Sequence, residues 1–207
     1  MTGSLPVRSP PFRPTRTASV AGVVLAAGTS SRYGTANKLL ARIDGDPVVA
    51  RALRPYLDAG FDPVVVVVGY DHERVRDALP GGVTVVHNPE YADGQASSVR
   101  TGIDAVTGTA DAAVVGLGDM PFLRTETVRL LGRAFRAGAG DPLAAAVDGE
   151  RGNPVCFGER WFADLRAVDG DVGGRDLLLS APDAALVETG DPGVRRDVDR
   201  PEDLRSP

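Results

Sequence analysis

A single lysine, Lys38, stands among 23 basic residues, and every other one is arginine. A chain that writes its cations as arginine yet keeps one ammonium wants a compact, strongly hydrated charge there, which a planar guanidinium does not replace. That lysine closes residues 20–38, VAGVVLAAGTSSRYGTANK. The stretch opens as an apolar, β-branched run and passes through Leu25, Ala26, Ala27 and Gly28 into a small, polar loop. Gly28 and Gly34 let backbone N–H groups approach an anion. Thr29, Ser30 and Ser31 add hydroxyl donors, and Arg32 and Lys38 add positive charge. The chemistry favoured is phosphate binding at the end of a buried strand. Two familiar phosphate loops do not fit, G-x-G-x-x-G and G-x-x-x-x-G-K-[ST]. Five residues separate Gly28 from Gly34, and Lys38 follows Gly34 by four positions with Leu39 behind it.

Asp119 directly follows another apolar run, in Gly118-Asp119-Met120-Pro121. A carboxylate at the mouth of an α/β crevice, facing an Arg/Lys loop, is explained by a divalent metal between them. Mg²⁺ takes one or two carboxylates plus substrate phosphates. The bland alternative is a turn-forming Asp before proline. A second carboxylate is available in DVDRPED at 197–203. Acid-rich turns before a terminal helix commonly cap and solvate, but with Asp119 and the loop in view Asp199 is the expected ligand. Between these lies a polar stretch, 88–102, in which Gly94 can approach a base while Gln95 and Ser98 hydrogen-bond its edge. There Ser97 reads as a helix N-cap, which is the structural alternative. His72 and His87 have no metal-spaced partner and read as structural. Cys156 lies in an apolar run and reads as packed rather than nucleophilic. No Ser-His-Asp order points to a hydrolase triad.

These residues need a scaffold, and the chain supplies an alternating one. Strands are expected at 20–25, 63–69, 83–87 and 111–117. Helices are expected at 46–58, 72–79, from near Ser97, and 125–137. PVVVVVG at 63–69 reads as a central parallel strand buried on both faces. Alternation of this kind implies a doubly wound, mostly parallel α/β sheet with ligands beyond the strand C-terminal ends. The loops carrying Lys38, Gln95 and Asp119 then converge on one crevice. The C-terminal third is less regular. Strands at 143–147 and 154–157 flank a loop at 149–153, followed by helices at 161–168 and 170–179 and a last strand at 184–188. The expected organisation is a disordered tail over 1–18 and one domain over 19–207, with a nucleotide-binding half at 19–137 and an acceptor-binding half at 138–207.

Composition narrows the class of function. Hydrophobic content of 43% with 25% charged residues is that of an ordinary soluble globule. No apolar run approaches the roughly 20 residues needed to span a bilayer, and no apolar signal core opens the chain. The net charge is −5, and residues 1–19 hold three arginines and no acid, so the body is more acidic still. Such a body disfavours general nucleic-acid binding. One cysteine allows no internal disulfide and fits a reducing cytoplasm. The expected protein is cytoplasmic, a monomer or weak oligomer, away from membranes and nucleic acid.

With these pieces placed, the chain resembles the molybdenum-cofactor nucleotidyltransferase family, most closely its cytidylyltransferase branch. The matching stretches are LAAGTSSRYGTANK at 25–38, NPEYADGQASSVRTG at 88–102, GDMP at 118–121, RGNPVCF at 151–157, GDVGGR at 170–175 and DVDRPEDL at 197–204. Ala27 and Thr35 stand where the guanylyl branch carries glycine, which favours cytidine. The G-Q-x-x-S-V-x-x-G run is also similar to the base-reading loop of the isoprenoid-pathway cytidylyltransferase. The resemblance implies that Arg32 and Lys38 hold the triphosphate and that Asp119 and Asp199 hold Mg²⁺. It implies that Arg151, Asn153 and Arg175 meet the second substrate. Tyr33 and Gly174 depart from the family pattern and leave the acceptor's identity open.

The expected function is transfer of CMP from CTP to the phosphate of a molybdopterin-type acceptor, with release of pyrophosphate. A molybdoenzyme or its chaperone would receive the product. An acceptor phosphate is already anionic, so no activated side-chain nucleophile is needed. Three rivals stand beside this. One keeps the chemistry with another phosphate acceptor or with GTP. One is a non-catalytic molybdopterin carrier, which releases no pyrophosphate. The third, a nicotinamide oxidoreductase, lacks its glycine fingerprint.

Overall fold

The computed structural model describes residues 5–30, 33, 36–170 and 174–205, and ten strands and six α-helices lie among them. In chain order these are β1 (Val7–Arg8), β2 (Val20–Ala26), β3 (Arg42–Ile43), β4 (Asp46–Pro47), α1 (Val48–Asp58), β5 (Val64–Val68), α2 (His72–Asp77) and β6 (Thr84–His87). There follow α3 (Gln95–Val106), β7 (Ala112–Leu117), α4 (Thr125–Arg136), β8 (Leu143–Val147), β9 (Glu150–Gly158), α5 (Phe162–Arg166), α6 (Arg175–Ser180) and β10 (Ala185–Glu188). One eight-stranded sheet runs β1-β10-β8-β9-β7-β2-β5-β6. Only β9 runs antiparallel to its neighbours. This is the mostly parallel α/β sheet that the alternation of elements implies.

Both sheet faces are covered, which is why β2, β5 and β7 are apolar throughout. On one face Leu53 and Tyr56 of α1 share a core with Val24 of β2 and Val66 of β5, and Leu131 and Phe135 of α4 extend it over Leu143 of β8 and Cys156 of β9. On the other, Ile103 of α3 joins Val23 of β2 and Val67 of β5, and Leu165 of α5 and Leu178 of α6 join Phe157 of β9. All five valines of β5 are buried. That strand is not central, however. Only β6 lies beyond it, so its burial comes from helices above and below rather than from its place in the sheet.

Two Asp-Gly pairs make tight hairpins. Asp44-Gly45 joins β3 to β4, and Asp148-Gly149 joins β8 to β9, with positive φ at all four residues (51°, 90°, 54° and 74°). Two-residue turns of this hand match strand twist. Residues 150–153, expected as loop, therefore belong to β9, and α1 begins at Val48 because Asp46–Pro47 is strand.

The expected disordered tail is not what residues 5–18 form. Val7 and Arg8 add a parallel strand to β10. Thr15 and Arg16 donate backbone N–H groups to the Arg136 carbonyl, at 3.0 and 3.3 Å, at the C-terminus of α4. The Arg16 guanidinium lies 4.2 Å from the Phe135 ring centroid. Backbone pairing and a cation over an aromatic face need no apolar periodicity, so composition alone does not reveal them.

Candidate functional site

β2 ends at Ala26, and the loop after it is held by its neighbours. Leu25 O accepts from Gly118 N (2.8 Å) and Ala27 O accepts from Tyr70 N (3.2 Å), so the ends of β2, β5 and β7 converge. Gly118 makes this possible. A Cβ there would stand 3.1 Å from Ala26 Cβ and 3.2 Å from Leu25 O. The next residue, Asp119, is thereby carried to the mouth of the loop.

Lys38 opens a short 3₁₀ turn, Lys38–Leu40, that Asn37 caps. The Asn37 Oδ1 accepts from Leu39 N (3.0 Å) and from Ser30 Oγ (3.2 Å). Ser30 Oγ in turn accepts from Lys38 N at 3.2 Å. The Lys38 ammonium then reaches Asp119 Oδ2 at 2.6 Å and Asp199 Oδ1 at 2.9 Å. Asp199 arrives from the far end of the chain because Val198 N donates to Asp119 O (2.8 Å). Val198 is buried in a small core with Ile43 and Val48, and its flanking acids, Asp197 and Asp199, come to the same side. Asp119, Asp197 and Asp199 each offer an oxygen within 4.8 Å of the others.

Electrostatics follows from this crowding. Burial alone would lower the Lys38 pKa, but Asp119 and then Asp199 outweigh it and hold the ammonium above its ordinary value. Burial pushes the Asp119 carboxyl up against the pull of Lys38, with Asp197 adding to the rise. Among the described residues Asp119, Asp197 and Asp199 bring carboxylate oxygens together beside the Lys38 ammonium, a donor set that a divalent cation would suit. Among the described residues the buried Asp119 Oδ1 has no hydrogen-bond partner, which suits a ligand atom for a cation. An all-oxygen donor set suits a hard ion such as Mg²⁺ or Mn²⁺. The residues fit such an ion.

A cleft of about 380 Å³ opens over these groups. Leu25, Ala26, Ala27, Gly28, Lys38 and Asp119 line it. Gly94, Gln95, Ser98 and Asp199 line it as well. Arg32 and Gly34 lie outside the described residues. A second cavity, about 370 Å³, shares the walls Leu25, Gln95 and Leu117 with the first. It gathers Arg151, Asn153 and Arg175, the three residues expected to meet the acceptor, beside Val155 and Phe157. Burial, and then the neighbouring Arg175, hold the Arg151 guanidinium below its usual value, so the pair seeks an anion. This cavity draws its walls from both halves of the chain, and Asp199 belongs to the first cleft. Residues on both sides of position 137 thus line each cavity.

Several further expectations meet the structure here. Ser97 is not the N-cap of α3. Gly94, at φ 102°, breaks the chain there and the helix starts at Gln95. Ser97 Oγ instead donates back to Glu90 O (2.8 Å) and Gly94 O (2.9 Å). Asp203 has the capping role, its carboxylate accepting from Asp199 N and Arg200 N. His72 and His87 stack on each other with ring centroids 4.2 Å apart, away from the cleft walls. Cys156 is fully buried and its thiol is pushed up by burial. Asp197 was not anticipated, although its i, i+2 spacing from Asp199 puts both on one side of an extended segment. Asn37 and Asn88 were also missed as organising residues, since a buried amide carries no motif.

The family model of the MobA-like NTP transferase domain matches residues 22–185. The chain belongs to this family. Nicotine blue oxidoreductase of Paenarthrobacter nicotinovorans is 32% identical over 89% of this chain and 94% of its own. The molybdenum cofactor cytidylyltransferase of Escherichia coli K12 is 28% identical over 88% and 92%. Among solved structures, Rv0371c from Mycobacterium tuberculosis H37Rv aligns with a TM-score of 0.77 at 30% identity, covering 92% of this chain and 97% of that one. The same protein is also solved in complex with manganese, at a TM-score of 0.74 and 28% identity over 90% and 96%. The fold is thus that of the MobA-like nucleotidyltransferases, and a divalent metal accompanies it in a relative. Among the described residues no helix is long and apolar enough to cross a membrane.

Proposed function

We propose that this protein is a cytoplasmic, Mg²⁺-dependent cytidylyltransferase that moves CMP from CTP to the terminal phosphate of a molybdopterin-type acceptor. One observation carries this most. The Lys38 ammonium and the Asp119 and Asp199 carboxylates line one cleft, with Asp197 beside them, and a two-arginine cavity adjoins it through shared walls. The first arrangement suits a triphosphate with its cation and the second suits a phosphate monoester. Arg151 and Arg175 would hold the acceptor phosphate, and Asn153 would orient the group it carries. Val155 and Phe157 offer a flat apolar wall to a ring.

The acceptor oxygen attacks the α-phosphorus of CTP, forming a new phosphoanhydride P–O bond. The α–β bridging P–O bond breaks and its electrons leave with pyrophosphate. No proton need move, since attacking and leaving oxygens are both anionic. Lys38 meets negative charge building on the phosphoryl oxygens, and Gly28 keeps the backbone close to them. Asp119, Asp197 and Asp199 would hold the cation, which when bound neutralises phosphate charge. Gly94, Gln95 and Ser98 would receive the base. The product passes to a molybdoenzyme or its chaperone.

The test is a turnover assay with CTP, Mg²⁺ and molybdopterin, reading pyrophosphate and the CMP adduct. Stoichiometric pyrophosphate and adduct with CTP, and at least about tenfold less with GTP, is the expected result; the margin is one good base-edge contact. Turnover with other phosphate acceptors but not molybdopterin would move the acceptor class. The 32% identity to an oxidoreductase supports a second reading, hydride transfer. Oxidation of NADH or NADPH without pyrophosphate release is the outcome that would favour it.

A further inference from the structure

Asn88 is 1% exposed and commits both ends of its amide to the loop beside the cleft. Its Oδ1 accepts from Glu90 N at 2.9 Å. A backbone N–H can only donate, so the amide's orientation is dictated and Nδ2 must face the serines. Nδ2 donates to Ser97 Oγ at 2.9 Å and to Ser98 Oγ at 3.0 Å. Each hydroxyl is thereby an acceptor, and its own proton has to go elsewhere. Ser97 sends its proton back to Glu90 O or Gly94 O. Ser98 has no such acceptor among the described residues, is 5% exposed, and lines the cleft. Its proton is left for whatever enters.

We propose that Asn88 is a specificity-determining positioning residue that fixes the Ser98 hydroxyl as a donor towards the nucleobase. The cleft then matches a pyrimidine whose ring N3 is an unprotonated acceptor, cytosine. It disfavours uracil, whose N3 carries a proton: the remaining lone pair of Ser98 Oγ would have to meet it, and the Ser98 proton would lose its acceptor on the base. This rests on the proposal that the cleft receives the base of CTP. A buried polar group left without its partner is the kind of mismatch that discriminates strongly between bases of equal size.

Asn88→Asp tests it with almost no change of shape. A carboxylate only accepts, so both serine hydroxyls turn towards it and Ser98 offers a lone pair to the base, while Glu90 N keeps its acceptor. Affinities for CTP and UTP are measured by calorimetry on the full chain with Mg²⁺, at pH 8 to keep the new carboxylate ionised. Wild type is expected to prefer CTP. N88D is expected to lose about tenfold or more of that preference, through weaker CTP and unchanged or tighter UTP. Ser98→Ala, which leaves Asn88 and its amide in place, is expected to lose the preference to a similar extent. In the S98A background N88D should change the ratio no further. A purely structural role would weaken both nucleotides alike. An unchanged CTP-to-UTP ratio in S98A, or in folded N88D, therefore overturns the inference while leaving the cytidylyltransferase standing. Wild type that binds no nucleoside triphosphate overturns that function and this inference with it.

Discussion

Lys38 and the acids around it carry the sharpest expectations at the scale of single residues. Lys38→Ala and Asp119→Ala should each lower turnover by about a hundredfold or more, the usual cost of one preorganised charge donor or ligand. Circular dichroism should show both variants folded, since neither side chain fills the core. Asp197→Asn should raise the divalent-ion concentration needed for half-maximal rate while changing the saturated rate less. A titration with Mg²⁺ and Mn²⁺ reads this directly. Arg151→Ala should raise KM for the phosphate acceptor by about tenfold or more and leave KM for CTP unaltered, which separates the two cavities. Much of this site is legible from residue types alone. A unique lysine after a small, polar loop, and an aspartate ending an apolar run, need no structure to stand out. Asp197 and the two asparagines do not stand out, because their roles depend on which neighbours the fold brings to them. Asn37 shows the point. Its Oδ1 caps a turn, while its buried Nδ2 has no partner among the described residues, and neither fact is written in the four residues around it.

Elements are held in place by buried polar staples as much as by apolar faces. Asp191 is the clearest. It is 1% exposed, and its carboxylate accepts from Arg124 N (2.9 Å), Thr127 Oγ1 (2.6 Å) and Gly193 N (2.9 Å). It pins the start of α4 to the segment that leads to Asp197 and Asp199. Asp191→Ala would strand these donors in the interior. The expected loss is about 3 kcal/mol of unfolding free energy by denaturant titration. A second effect follows from its position. Metal affinity should weaken in the same variant although Asp191 touches no ligand. Strand and helix identities were readable from apolar period and length, but their ends were not. The start of α3 was misread because Ser97 has the chemistry of a cap, while Gly94 has the backbone freedom that decides the break. The Asp148-Gly149 hairpin was missed for the converse reason. Its turn is only two residues long, and Arg151 and Asn153 beyond it look like loop residues until β9 is seen to line a cavity with them.

Over the whole molecule, chain ends are tied to the parts that work. The N-terminal arm covers the edge of β10 and holds the C-terminus of α4. Removing residues 1–18 should lower the thermal midpoint by several degrees, consistent with losing a few backbone hydrogen bonds worth about 1 kcal/mol each. It should also expose a strand edge that promotes association, visible by light scattering. The arm's proline and arginine content hid this, because two paired residues leave no periodic trace. At the other end, the extended segment before the Pro201–Leu204 turn brings Asp197 and Asp199 back to Asp119, where Val198 N donates to Asp119 O. That closure is the central claim, and diffraction at the manganese edge from crystals grown with Mn²⁺ and a non-hydrolysable CTP analogue tests it most directly. The prediction is an anomalous peak within coordination distance of Asp119, Asp197 and Asp199, with Lys38 on the triphosphate and the cytosine against Ser98. A nucleotide bound elsewhere, or manganese absent from those three carboxylates, would contradict it.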